Sequence, residues 1–433
     1  MRELGRNTKI IMSVIVALLL VGTVYLALFY DWSAPGDLGP DVVPDETSDY
    51  TPITNLTGMI ECSNNFSFEM YSQVCNESDN VFFSPYSITT ALGMAFEGAN
   101  GTTADEMAQV LRLPKDNQTR LDLVKAFQTA INAESDKYEL STANAYWLAE
   151  NQAMLETYRT AIESYYLAHG GELDFVGDPT GSAATINAWV EQETNGRIKD
   201  LIPASAITSL TYLILTNAIY FKSDWKYQFN STATYNGTFY LNNGLETTAE
   251  YMNMNDEEID FDYATNNECQ MLRLPYKGEE VSMYIMLPHY GTAGMDALEE
   301  KLDSDYFEAL KASMHPAWVN VNIPKFKFEQ EYHLEDFLPG MGMPTAFQPG
   351  SADFSGITDA MPLYISQVIH KSFIEVDEKG TEAAAATAII MPTYGVGPPQ
   401  PINFYAYHPF IFFIQHESTG QILFMGKVGN PDI

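Results

Sequence analysis

Residues 10–30 read IIMSVIVALLLVGTVYLALFY, a run of 21 positions without one charged side chain. A helix of about 20 apolar residues spans the hydrocarbon layer of a bilayer, so this stretch reads as a transmembrane anchor and everything that folds must do so beside it. Arg2, Arg6 and Lys9 precede the run, and the next basic residue is Arg112. The positive-inside rule therefore keeps residues 1–9 in the cytoplasm and puts the rest of the chain outside. The alternative is a cleaved signal peptide and a secreted product. Its apolar region is normally about 7–15 residues and ends in a small-residue cleavage site, which this sequence lacks.

Residues 31–57 carry six acidic residues, four prolines and no basic residue. Such a segment repels itself and buries little, so it predicts an extended tether with an average reach of about 30 Å. Beyond it, 46% hydrophobic and 13% aromatic residues supply enough apolar surface for a packed core. Fifty-seven acidic against 22 basic residues give a net charge of −35, which repels phosphate backbones and argues against nucleic acid as a partner. Seven N-x-[ST] sequons, at Asn55, Asn65, Asn76, Asn100, Asn117, Asn230 and Asn236, match an outer surface open to glycosylation.

Apolar spacing divides the remainder. Phe66, Met70 and Val74 recur every fourth residue, and Leu121, Val124 and Phe127 every third, so the first half predicts helices. Past residue 210 the period becomes two, in Leu213, Leu215 and Asn217 and again in Val319, Val321 and Ile323. Lys277–Glu280 reads as a turn between strands, and Phe410–Ile414 with Ile422–Met425 as a buried hairpin. Cys62 and Cys75 fall about 20 Å apart on the first helix, beyond disulfide reach, and with Cys269 form no metal-binding pattern.

No G-x-S-x-G, HExxH, phosphate-binding loop or dinucleotide fingerprint is present, and the seven histidines are scattered. This predicts no enzyme and no metal or other cofactor. His370 and His408 lie in apolar, strand-like stretches and read as structural histidines. One segment is unusual: EKGTEAAAATA from Glu378 to Ala388, followed by a stretch broken by Pro392, Pro398, Pro399 and Pro401. Alanine propensity favours a helix. Alternation of small side chains at Thr381, Ala383, Ala385 and Thr387 equally suits a segment able to slide into a sheet. The proline-rich continuation reads as an exposed, protease-accessible loop.

These residues resemble a known family. EVDEKGTEAAAATA (Glu375–Ala388) is similar to the reactive-loop hinge of serpins. NVFFSPYSI (Asn80–Ile88), LTNAIYFKSDW (Leu215–Trp225), FYAYHPFIFFI and ILFMGKVGNP resemble further serpin blocks in the family's order. The resemblance implies one α+β domain over residues 58–433, with three β-sheets, eight or nine helices and an exposed reactive loop at about 378–402. It also implies a suicide-substrate inhibitor: a serine protease attacks the loop, forms an acyl-enzyme, and is trapped when the cleaved loop enters the large sheet.

Counting along the family's hinge from Glu378 places the bait bond between Tyr394 and Gly395, with Met391 and Thr393 as other registers, and points to a chymotrypsin-like or subtilisin-like target. By the same resemblance Glu378, Gly380, Thr381, Ala383, Ala385 and Thr387 form the hinge. Ser84, Asn217 and His370 match a polar cluster under the sheet, and Trp225 the place where insertion begins. A non-inhibitory serpin, acting as a binding or chaperone-like protein, is the alternative. The expected partner is the protease, bound covalently by a monomer, with the membrane engaged through residues 10–30.

Overall fold

The chain was analysed as a computed structural model that describes residues 53–133, 135–289, 294–381 and 400–432. The apolar run at 10–30 and the loop residues 382–399 lie outside these. Among the described residues no helix is long and apolar enough to cross a membrane.

The folded body starts earlier than the tether composition predicts. Ile53 is buried, and the Asn55 side chain caps the helix Leu56–Val74 by accepting from the Gly58 N–H at 2.9 Å. The tether reading thus fails for the last residues of 31–57, because an asparagine cap and an apolar anchor outweigh local acidity. Phe66, Met70 and Val74 line the buried face of that helix as the spacing predicts. Helices Pro85–Phe96, Gly101–Leu111, Asn117–Ile131, Glu156–Tyr165 and Pro179–Glu193 follow, with Gly294–Lys301 and Ser304–Ala312 later in the chain.

Among the described residues the strands form two hydrogen-bonded arrays, one of ten strands. Six of them, from Val81–Phe83 through the C-terminal hairpin Phe410–His416 and Gln421–Val428 to Asp260–Thr265, make one sheet. The strand His315–Pro324 pairs with that sheet through its first residues, and with Glu246–Met254 and Ile402–Tyr405 through its last. One strand is thereby shared by two sheets, and with the second array the expected count of three is met. The second array is six strands in the order Phe326–His333, Ile369–Val376, Gly380–Thr381, Leu213–Asp224, Tyr138–Ala149 and His169–Leu173. Between the sheets lies an aromatic core in which Phe82 stacks on Phe424 at 5.2 Å and on Phe412 at 5.8 Å.

Cys62, Cys75 and Cys269 are free thiols. His408 is not in a strand: it lies between Ile402–Tyr405 and Phe410–His416, just before Pro409, which cannot donate to a ladder.

A buried ion pair joins two helices. The Arg120 guanidinium, near the start of Asn117–Ile131, donates to both Glu97 carboxylate oxygens at 2.8 Å, and both side chains are under 10% exposed. Removing one partner leaves a buried charge without compensation, at a cost of about 3–5 kcal/mol. Glu97→Ala should therefore lower the melting temperature by roughly 5 °C, and the volume-matched double variant Glu97→Leu/Arg120→Met should recover much of that loss. Thermal unfolding followed by circular dichroism checks both.

Candidate functional site

The described part of one strand of the large sheet, Gly380–Thr381, lies between two long ones: Thr381 pairs with Val376 on one side and with Ser223 on the other, and Gly380 pairs with Asp224. Beyond it, among the described residues, the facing edges of Leu213–Asp224 and Ile369–Val376 share no ladder. The turn that delivers this strand is built by Asp377. Its Oδ1 accepts from the N–H groups of Lys379 (2.9 Å) and Gly380 (3.3 Å), while its own N–H donates to the Gly380 carbonyl at 3.0 Å. Gly380 has φ +159°, and a Cβ there would lie 2.1 Å from the Ser223 carbonyl oxygen. Only glycine lets the chain enter this close to the neighbouring backbone.

Trp225 and Tyr276 hold the start of the strand. Their rings stack at 4.5 Å, the Trp225 Nε1–H donates to the Asp377 carbonyl at 3.0 Å, and the Trp225 N–H donates to that of Lys379 at 2.6 Å. The buried Tyr276 hydroxyl lies 2.8 Å from Thr381 Oγ1. Glu378 is fixed by a 2.7 Å hydrogen bond from Thr234 Oγ1 and by Lys325 Nζ at 3.4 Å. Burial works against its carboxylate, but these donors outweigh burial and keep its pKa below the ordinary range.

Under the sheet a polar chain runs across six elements. The Ser84 N–H donates to His370 Nε2 at 3.0 Å, and Ser84 Oγ donates to the Leu423 carbonyl at 2.7 Å while accepting from the Ser87 N–H at 3.1 Å. Ser87 Oγ donates to Asn217 Oδ1, and Asn217 Nδ2 donates to Asn144 Oδ1. Asn144 Nδ2 reaches the Tyr166 carbonyl at 2.8 Å, and the Tyr166 hydroxyl donates to Glu97 at 2.9 Å. Sequence-expected Ser84, Asn217 and His370 thus come together. Ser87, Asn144 and Tyr166, absent from the expected set, complete the chain. Ser87 stood inside the same FSPYS block, but Asn144 and Tyr166 carry no local signal.

Burial pushes His370 down to about 3. It is neutral at pH 7 and accepts through Nε2, which assigns its proton to Nδ1.

Residues Ala383, Ala385, Thr387, Met391, Thr393, Tyr394 and Gly395 lie outside the described residues. Asn55, Asn76, Asn100, Asn117, Asn230 and Asn236 are exposed, whereas Asn65 is half-buried in the first helix. Among the described residues no group of three or more His, Cys, Asp or Glu could hold a metal.

The folded-state pKa of His370 lies below its unfolded value near 6.5, so the unfolded chain takes up a proton that the native chain refuses. The stability tied to His370 is complete above pH about 6.5 and falls as pH drops toward 3. His370→Asn should flatten the loss of stability between about pH 6.5 and 5, measured by urea unfolding at stepped pH; an unchanged slope would contradict the burial argument.

Residues 61–431 match the protein-family model described as Serpin (serine protease inhibitor). An uncharacterised serpin-like protein of Thermococcus kodakarensis is 41% identical over 375 residues, 86% of each chain. The leukocyte elastase inhibitor of Xenopus tropicalis is 39% identical over 376 residues, 84% of this chain and 97% of that one. Among solved structures the thermophilic serpin tengpin in its native state superposes with a TM-score of 0.77 at 28% identity, covering 88% of this chain and 97% of its own. With the α+β architecture, these matches establish that the chain belongs to the serpin family, whose members are protease inhibitors and binding proteins rather than enzymes.

Proposed function

We propose that this serpin is a suicide-substrate inhibitor of a chymotrypsin-like or subtilisin-like serine protease, tethered to a membrane by residues 10–30 with its folded body outside. The observation that carries the reading is the entry of Gly380–Thr381 between Leu213–Asp224 and Ile369–Val376, in register with both. Each residue beyond Thr381 steps one residue back along both neighbours. Glu382–Ala388 would thus run between Thr216–Lys222 and Ile369–Glu375, which are already extended.

Alternation puts Ala383, Ala385 and Thr387 on the face of Thr381, toward the body. Ala383 would fall between Phe221 and Ile374, Ala385 between Ile219 and Ser372, and Thr387 between Asn217 and His370. Phe221, Ile374, Ile219, Ser372 and His370 are all buried, so only small side chains enter without displacing them. Glu382 would lie on the opposite face beside the exposed Lys222.

In the reaction the protease serine Oγ bonds to the Tyr394 carbonyl carbon, the C–N bond to Gly395 breaks, and the serine proton leaves on the Gly395 amine. The freed loop adds a central strand to the large sheet and drags the acyl-linked protease with it before water can hydrolyse the ester. The chain is consumed in the process. The domain acts as a monomer and needs no cofactor. The exposed sequons are where glycans would be carried.

Mixing residues 50–433 with chymotrypsin should give an SDS-resistant adduct whose serpin fragment ends at Tyr394 by mass spectrometry. Thr381→Arg places a long cation where Tyr276 and Ser223 leave no room, so it should convert the inhibitor into a substrate, cleaved at the same bond without an adduct. Cleavage of the unsubstituted protein without any adduct would sink the inhibitory reading, and an adduct of unchanged yield from Thr381→Arg would sink the role of insertion.

A further inference from the structure

At the end of the large sheet remote from Thr381 is an open cleft of about 300 Å³. Its walls come from the residue just past Tyr138–Ala149 (Glu150), from the segment after His169–Leu173 (Phe175, Val176), from the segment before Leu213–Asp224 (Leu210, Tyr212), and from Met361 on the approach to Ile369–Val376. Three of these side chains are apolar and solvent-facing: Leu210 is 80% exposed, Val176 68% and Met361 42%. Large exposed apolar groups collected around one concavity mark a surface that something covers.

The pairing already present at Gly380–Thr381 says what reaches it. Continued along Leu213–Asp224, the register set by Thr381 and Ser223 brings Met391 level with Leu213, where that strand ends. On the other side the strand Ile369–Val376 ends level with Ala388. The chain leading into each strand, Leu210–Tyr212 and Met361, lines the cleft. Length agrees: 13 residues at about 3.3 Å span some 43 Å, of which the strand down to Leu213 takes about 33 Å. The last three residues therefore run past the end of the sheet to the cleft mouth.

We propose that this cleft is the receptor for the Tyr394 side chain after cleavage. Leu210, Val176 and Met361 cover the ring, and its capture withdraws the bait side chain from the protease's specificity pocket. The proposal rests on the inhibitory reading above and adds a second requirement to it. Insertion brings the protease to this pole, and the cleft decides how long the acyl bond survives there, because a bait ring held by the inhibitor cannot return to the position from which the protease hydrolyses it.

The test uses the full chain with Leu210→Asp and, separately, Met361→Glu, both at exposed positions where folding is not at stake. Chymotrypsin adducts are formed, excess inhibitor is removed, and the return of protease activity is followed with time. The adduct should form at the rate of the unsubstituted chain and decay roughly ten- to a hundredfold faster, the factor that losing one buried apolar side chain carries. Hydrogen exchange should also show residues 209–212 gaining protection on loop cleavage in the unsubstituted chain and not in Leu210→Asp. Adducts that form and persist as in the unsubstituted chain, with no gain of protection at 209–212, would overturn the cleft proposal while leaving inhibition intact. Failure of the unsubstituted chain to form an adduct would overturn the inhibitory reading, and the cleft proposal with it.

Discussion

The contact on which this structure turns is the close passage of Gly380 beside the Ser223 carbonyl, with Thr381 held under Tyr276. It starts a central strand between Leu213–Asp224 and Ile369–Val376. A sheet interior is stabilised by paired N–H and C=O groups and by side chains packed on both faces, so on the proposed mechanism the ladder that the cleaved loop adds supplies the energy of trapping. An inhibitor that works in this way is held by a barrier and is not at its lowest free energy.

The polar chain beneath the sheet has the same logic. Buried serines, asparagines and a neutral histidine cost more than an apolar core of equal volume unless every group is partnered. Here the partners come from separate elements: His370 from one long strand, Asn217 from the other, Ser84 and Ser87 from the start of a helix. Parting the two strands breaks bonds of moderate strength and exposes groups that water or an arriving hydroxyl can satisfy. Through Tyr166 the same chain reaches the Glu97–Arg120 pair, so the junction of the helices is tied to the large sheet.

Local patterns were legible in the sequence. Period-four spacing located the first helix, and the apolar runs Phe410–Ile414 and Ile422–Met425 located the last hairpin. What stayed hidden depends on partners far along the chain. Tyr276 lies more than a hundred residues from Thr381, and nothing near it marks it as the lid over that side chain. Asn144 and Tyr166 read as ordinary strand and helix-end residues until folding brings them under Asn217. The strand shared between two sheets is equally invisible, since one alternating stretch, Val319 to Ile323, serves both. His408 misled because apolar neighbours imitate a strand, while Pro409 ends it.

The central claim is that the strand added when the cleaved loop enters the large sheet supplies the free energy used for trapping. Calorimetry of the body with its loop intact, and again after cleavage between residues 382 and 399 by a protease that is not trapped, tests it most directly. The account predicts that the cleaved form melts far higher, by tens of degrees, because Glu382–Ala388 then completes the ladder between Thr216–Lys222 and Ile369–Glu375. A cleaved form that melts at or below the temperature of the intact one would contradict it.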